Sequence, residues 1–351
     1  MNQSIYKTQG KRGLFDNQLT RTRLSEIGNP LEKLLEVTDF EMFRPLLEER
    51  LLNTNKKSSA GAKPYDFVMM FKILILQRYY GLGDKQTEYQ IIDRTSFKVF
   101  LGLDTGDKVP DEKTVWAFRE RVTETGLIEE LFTLFNTRLE ENHMIFNEGQ
   151  LVDASFVIAP RQRNTRKENK AIKDGNGSDL WNDEPKKKKH KDIDARWTKK
   201  NNEVFYGFKD HAKVDKVSKI IVKYAVTDAS VHDSQALASL LSETDKGQNL
   251  YADSAYTGEV QEQTIDEYGM INQVTEKGYR NTPLTEEQKG NNRVKSKIRA
   301  RVEHVFGFLE QSMNGLFVRC VGIKRASGVI GLMNLTYNLF RAEQLQRTNC
   351  G

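Results

Sequence analysis

From about Leu31 to Leu139 apolar residues return every three or four positions, whereas beyond Gln150 they come in short runs and alternations; this change of period divides the chain. The first stretch predicts helices throughout. Asp39 is placed to cap Phe40–Leu52, Pro64 to open Tyr65–Tyr80, Asp84 to cap Lys85–Asp93, and Ser96 precedes Phe97–Leu101. After the Gly81-Leu82-Gly83 break, a strongly patterned helix restarts between Pro110 and Val122. Residues 1–145 therefore read as an all-helical N-terminal domain.

The second stretch predicts strands at Leu151–Ile158, Val204–Val214, Ser218–Val226 and Leu250–Ala252, with a helix at Asp233–Leu241 before the fourth. A helix at Gly258–Gln263, a strand at Ile271–Val274 and a long helix at Asn292–Ser312 follow. That order describes an α/β domain over 146–345, a mixed sheet with helices on its faces. A last helix, Val329–Leu345, has apolar positions at Ile330, Met333, Leu335, Leu339 and Phe340; it packs on the sheet or pairs with a partner, core packing being the stronger reading. Between the first two strands lies a polar excursion, 161–202, holding Arg161, Arg163, Lys186, Lys187, Lys188 and Lys189 among its cations. Such a block buries no core and reads as a flexible insertion that waits for an anion. Its Trp181 and Trp197 either stack on bases or pack the loop down.

Composition changes this picture little. At 351 residues the chain has room for two domains, and 38% hydrophobic with 29% charged residues makes it globular but polar. The net charge of +5 matters only because the excursion concentrates it, which points to a phosphate-rich polymer. Cys320 and Cys350 show no C-x-x-C spacing, which argues against a disulfide framework and a thiolate zinc site. The first residues contain no apolar signal segment, and the longest apolar run, Phe67 to Leu76, includes Lys72 and is too short to span a bilayer. A cytoplasmic protein without a membrane partner is expected.

Three acids carry the chemistry. Asp153 interrupts the first strand, Asp253 directly follows the fourth, and Glu303 sits in the long helix beside Val302, Val305, Phe306 and Leu309. Carboxylates from three separate elements can hold two Mg²⁺ ions roughly 3.5–4 Å apart, the requirement of a two-metal phosphoryl-transfer site. Singly, each acid also reads as a cap or a solvated residue. Asp228 and Asp233 rival Asp253; Asp233 reads as the N-cap of Ser234–Leu241, and His232 as a hydrogen-bonding neighbour. Asp210 and His211 fall mid-strand and could support the ligands. Arg299, one turn before Glu303, binds a phosphate or pairs with Glu303, while His304 points about 100° away round the helix. In the helical domain, Lys113, Arg119 and Arg121 lie beside Val115, Ala117, Phe118 and Val122, as in a helix-turn-helix reader or a supporting bundle.

The segments Val152-Asp-Ala-Ser-Phe-Val-Ile-Ala-Pro-Arg-Gln-Arg-Asn164, Lys209-Asp-His-Ala-Lys213, Val226-Thr-Asp-Ala-Ser-Val-His-Asp-Ser234, Tyr251-Ala-Asp-Ser-Ala-Tyr-Thr-Gly258 and Arg299-Ala-Arg-Val-Glu-His-Val-Phe-Gly307 resemble the DDE transposases of bacterial insertion sequences, and most closely the insertion-sequence family numbered five. The resemblance covers nearly the whole chain. It implies an RNase H-like catalytic core preceded by the helical domain, cleavage at the terminal inverted repeats of an element, and joining of the freed 3′-hydroxyl to target DNA. It further implies two Mg²⁺ ions, with Mn²⁺ able to substitute, double-stranded DNA as partner, a homodimer in the active complex and a bacterial, nucleoid-associated location. By motif the three catalytic acids fall on Asp153, Asp253 and Glu303, and Arg299 matches the family's arginine. Ser296 and Glu310 depart from the tyrosine and lysine common around that helix, which leaves a basic contact to come from Arg319, Lys324 or Arg325. A nuclease that cuts without joining, and a DNA-binding protein whose acids are mere caps, remain alternatives.

Overall fold

The helical region is built round one helix that is apolar on every side. The structure, a computed structural model, describes residues 13, 15–52, 63–200, 202–280 and 282–349. Its first helices are α1 (Asp16–Ile27), α2 (Pro30–Val37), α3 (Arg44–Leu51), α4 (Phe67–Tyr79), α5 (Asp84–Asp93), α6 (Thr95–Leu101), α7 (Glu112–Glu124) and α8 (Leu127–Glu141). From Phe67 to Gln77, α4 buries nearly every side chain, as an all-round apolar helix must. Short polar side chains start the helices: Asp66 accepts from the Met69 amide and Asp111 from the Thr114 amide. Two starts differ from expectation. Asp39 caps a single 3₁₀ turn, Phe40–Phe43, because Pro45 restarts the chain as α3. Asp84 lies inside α5 and does not cap it, its carboxylate being drawn across to Arg119.

The remaining elements are β1 (Gly149–Ile158), α9 (Arg166–Lys173), α10 (Pro185–Lys188), β2 (Arg196–Lys200), β3 (Glu203–Asp215), β4 (Ile221–Asp228), α11 (Leu237–Leu240), β5 (Asn249–Tyr251), α12 (Glu259–Glu267), β6 (Ile271–Asn272), α13 (Glu286–Gly307) and α14 (Ile323–Asn349). The sheet runs β4-β3-β1-β5-β6, with β3 antiparallel to both neighbours and β1, β5 and β6 parallel. This mixed sheet with flanking helices is the RNase H-like arrangement. Helix α13 starts earlier than its apolar spacing suggests, at a Thr285–Gln288 capping box, and ends in a π-helical turn, Phe308–Ser312. The strand expected at Ile271–Val274 stops after two residues, where the Asn272 side chain accepts from the Val274 amide and turns the chain.

The polar excursion expected to be flexible is folded. Thr165 and Glu168 cap α9 reciprocally, Glu168 also accepts from the Trp181 indole at 2.7 Å, and Ile172, Trp181, Asp192 and Ala195 are buried. β2 then forms a hairpin with the outer half of β3. Charge counting missed this because a few apolar and aromatic residues among many lysines suffice to close a small core. Trp181 packs the excursion down, while Trp197 stays 41% exposed beside Tyr206.

Helix α14 joins the two halves. It packs on α8, α4, α7 and α2 on one side and on β4 on the other, and one apolar core runs from Leu31 through to Ala342. Tyr79 of α4 stacks on Phe340 at 3.6 Å. Within the seam, Asn338 receives the Ile221 amide at 2.9 Å and donates to the Ile221 carbonyl and to Asn136 of α8 at 2.8 and 2.9 Å. Gly331 lets the helix touch the sheet, since a Cβ there would lie 2.2 Å from the Tyr224 hydroxyl oxygen. The last helix is thus a core element.

Candidate active site

Strand geometry sets Asp253 alongside Asp153. In β1, Leu151, Asp153 and Ser155 face the side on which α13 and α14 pack, while Val152 and Ala154 face the other. Parallel pairing sets Leu151 opposite Tyr251, so the chain leaving β5 reaches Asp253 alongside Asp153. There the Asp253 carboxylate accepts from the Ala255 amide at 2.9 Å and caps a 3₁₀ turn, Ser254–Tyr256. Glu303 comes from α13, which crosses β1.

Arg299 ties two of the acids. One guanidinium nitrogen donates to Asp153 at 2.9 Å and the other to Glu303 at 3.1 Å, so Arg299 pairs with Glu303 and with a second acid as well. Asp153 also accepts from the Ala154 amide at 2.8 Å. Burial nevertheless pushes the Asp153 carboxyl up to about 6, against the pull of that amide and of Arg299 and helped by the charge of Asp253. Glu303 remains 62% exposed. Among the described residues no three His, Cys, Asp or Glu groups converge on one point. The donor chemistry still fits a hard divalent cation: the groups are all carboxylate oxygens, and burial disfavours the lone charge of Asp153.

Rival residues take other roles. Asp233 does not cap the following turn, which His232 does through Nδ1; it pairs instead with Lys209, at 2.7 Å. Lys209 also donates to the Val231 carbonyl at 2.6 Å, a buried cation that spacing gave no reason to single out. His211 meets Thr227 at 2.8 Å, and burial lowers it to about 4, so its ring is neutral. Asp210 shares the Asp153 face but is sealed under α14, bonded to Asn334 at 3.1 Å. Tyr256, 1% exposed, keeps a hydroxyl without a hydrogen-bond partner close to Asp153, Asp233 and Asp253, and burial raises it well above its ordinary range.

The cations expected to meet DNA divide. Arg161, Arg163, Lys186, Lys189 and Lys113 are exposed. Arg119 is not free: it forms two hydrogen bonds to Asp84 and one to Gln77, and its side chain is 16% exposed. Arg121 donates to the Leu51 carbonyl. Lys187 pairs with Glu168 and Glu184, and Lys188 is held by the Ser178 carbonyl and Asn182. Hydrogen bonds and ion pairs hold these four, a fact invisible to a count of charges. Of the three candidates for a basic contact beyond Glu303, Arg325 is paired with Glu120, whereas Arg319 lies over the Phe317 ring at 5.1 Å.

A family profile described as Transposase DDE domain matches residues 146–339, more than half of the chain and all three acids. The chain belongs to the DDE transposase domain family. A second profile, Transposase domain (DUF772), matches residues 20–121, most of the helical region. Among solved structures the transposase is similar to one described as a piggyBac transposase synaptic complex with hairpin DNA, at 12% identity and a TM-score of 0.45, over 94% of this chain and 77% of that one. Among its described residues no helix is long and apolar enough to cross a membrane.

Proposed function

We propose that this transposase cuts DNA at the ends of an insertion sequence and joins the freed 3′-hydroxyl to target DNA, with Asp153, Asp253 and Glu303 as its catalytic acids. The observation that supports this best is the link from Asp153 through Arg299 to Glu303, with Asp253 emerging beside Asp153. These carboxylates would hold two divalent ions, Mg²⁺ or Mn²⁺, which when bound activate the attacking oxygen and stabilise the leaving one. Asp153 is fixed by its strand and by the Ala154 amide, and Asp253 by the turn it caps. Arg299 orients Asp153 and Glu303 toward each other and places a positive charge beside the scissile phosphate. The exposed Glu303 leaves the entrance open to a strand of DNA.

The helical region over 1–145 is the proposed reader of the element's ends, with Lys113 exposed at the start of α7. Arg161, Arg163, Lys186 and Lys189 are the proposed backbone contacts of the excursion. Synapsis of two ends would call for a homodimer, and the resemblance of the motifs favours an element of the insertion-sequence family numbered five. The test is incubation of the chain with labelled DNA bearing its own element's ends, with Mg²⁺, Mn²⁺ or chelator, beside Glu303→Gln. Metal-dependent nicking and joined products that vanish in the variant support the proposal. Nicking without joining would make the chain a nuclease, and binding without cleavage under every condition a DNA-binding protein.

A further inference from the structure

We infer that the cavity between α4, α7 and the chain linking α13 to α14 is an anion site built round Arg78, and that it takes a backbone phosphate of DNA. The inference rests on the reading that this chain handles DNA, and adds a site remote from the acids.

The cavity measures about 590 Å³ and is lined by Arg78, Trp116, Lys189 and Arg319 among others. Arg78 is part-buried, and its Nε is sealed from solvent without a hydrogen-bond partner. Among the described residues no carboxylate pairs with it, because Asp84 is taken by Arg119 and Glu120 by Arg325. Arg319 and Lys189 are likewise unpaired among the described residues. Burial, with Arg119 and Arg319 close by, lowers Arg78 to about 10. A guanidinium sealed in this way without a hydrogen-bond partner is unfavourable unless an anion completes it, and the exposed Arg319 and Lys189 add positive charge on the same hollow.

The shape favours nucleic acid. Trp116 stands 50% exposed on the lining, and Arg319 lies over Phe317, giving aromatic faces beside cations. Past His190, Arg319 and Cys320 the cavity continues into a second hollow of about 300 Å³, where Arg161 and Arg163 are exposed. A charged track therefore runs from the helical region to the excursion. The seam is tight at Gly81, where, at φ +61°, a Cβ would lie 2.5 Å from the Asn314 Cβ. Phe317 bridges to Ile158, at the far end of β1 from the sheet centre. At 3.2–3.4 Å per residue this point is roughly 16 Å along the strand from Asp153, within half a turn of duplex.

The experiment is a salt titration of full-chain binding to labelled duplex carrying the element's end, for the wild type, Arg78→Met, Arg319→Ala and Arg319→Lys. Arg78→Met and Arg319→Ala should each weaken binding about tenfold and lower the slope of log affinity against log salt by about one, on specific and unrelated duplex alike. Arg319→Lys should keep the wild-type slope. Arg319 is exposed, so Arg319→Ala carries the test even if Arg78→Met fails to fold. Unchanged affinity and slope in Arg319→Ala overturn the site. Stabilisation by inorganic phosphate at constant ionic strength that Arg78→Met abolishes, with DNA slopes unmoved, overturns DNA as the source of the anion. A wild type that binds no DNA overturns the proposed function itself.

Discussion

Two carboxylates on one face of the same sheet, Asp153 and Asp210, are both raised by burial, to about 6 and about 7, yet they serve different ends. Asp153 stands at the open corner, with Arg299 and Asp253 as neighbours and the exposed Glu303 beyond. Asp210 is fully buried beneath α14, with Asn334, among the described residues, as its only hydrogen-bond donor and its second oxygen unpaired. A shifted pKa therefore marks burial in both, and what separates a reactive carboxylate from a structural one is access and the charges around it.

The largest break of the comparison is Asp153→Asn. It should reduce cleavage by roughly 10³-fold, the scale on which removing one preorganised electrostatic group acts, while duplex binding stays intact. A cleavage assay with equal binding checks it, and undiminished nicking sinks the catalytic assignment. On the buried side, Asn338→Leu should cost about 3 kcal/mol in denaturant unfolding, since the Ile221 amide and carbonyl and Asn136 all lose a partner.

A smaller effect sharpens the pH side. Because the folded state raises Asp210 from 3.8 to about 7, the stability due to its protonated form is complete below pH 3.8 and lost as pH rises through 7. Asp210→Asn should remove this loss and stabilise the chain at pH 8 by on the order of 1–3 kcal/mol. Melting curves from pH 5 to 8 check it; a variant that melts lower at pH 8 contradicts the assignment. The smallest expected fall in cleavage is for Arg299→Ala. Its partly exposed pair with Glu303 is worth less than about 1 kcal/mol, and leaving the buried Asp153 without its cation adds to that, whereas cleavage should fall by about tenfold or more because Asp153 and Glu303 lose their common tie. Comparing melting with single-turnover cleavage separates the two.

Much of the fold was legible, and for identifiable reasons. Periodicity located α4, α7, β1, β3 and β4 because each has a buried face or, for α4 and most of β3, buries nearly every side chain. It failed where few residues decide the outcome. Ile172, Trp181 and Ala195 close the excursion despite its lysines, and Asn272 ends β6 after two residues. At the site, the acids could be chosen from motif and context, but Arg119, Arg121, Lys187 and Lys188 look like free cations in one dimension. Their partners Asp84, Leu51, Glu168 and Ser178 lie in other elements or turns. Asp233 exchanged a local cap for a distant lysine for the same reason.

The sequence alone determined the change from helical to alternating pattern, the three acids and the excess of positive charge between the first two strands, because these depend on residue type and near neighbours. Tertiary structure decided which charges remain available. Ion pairs, sealed carboxylates and the unpaired Arg78 arise from residues far apart in the chain, and their energies depend on burial and distance that no local pattern encodes.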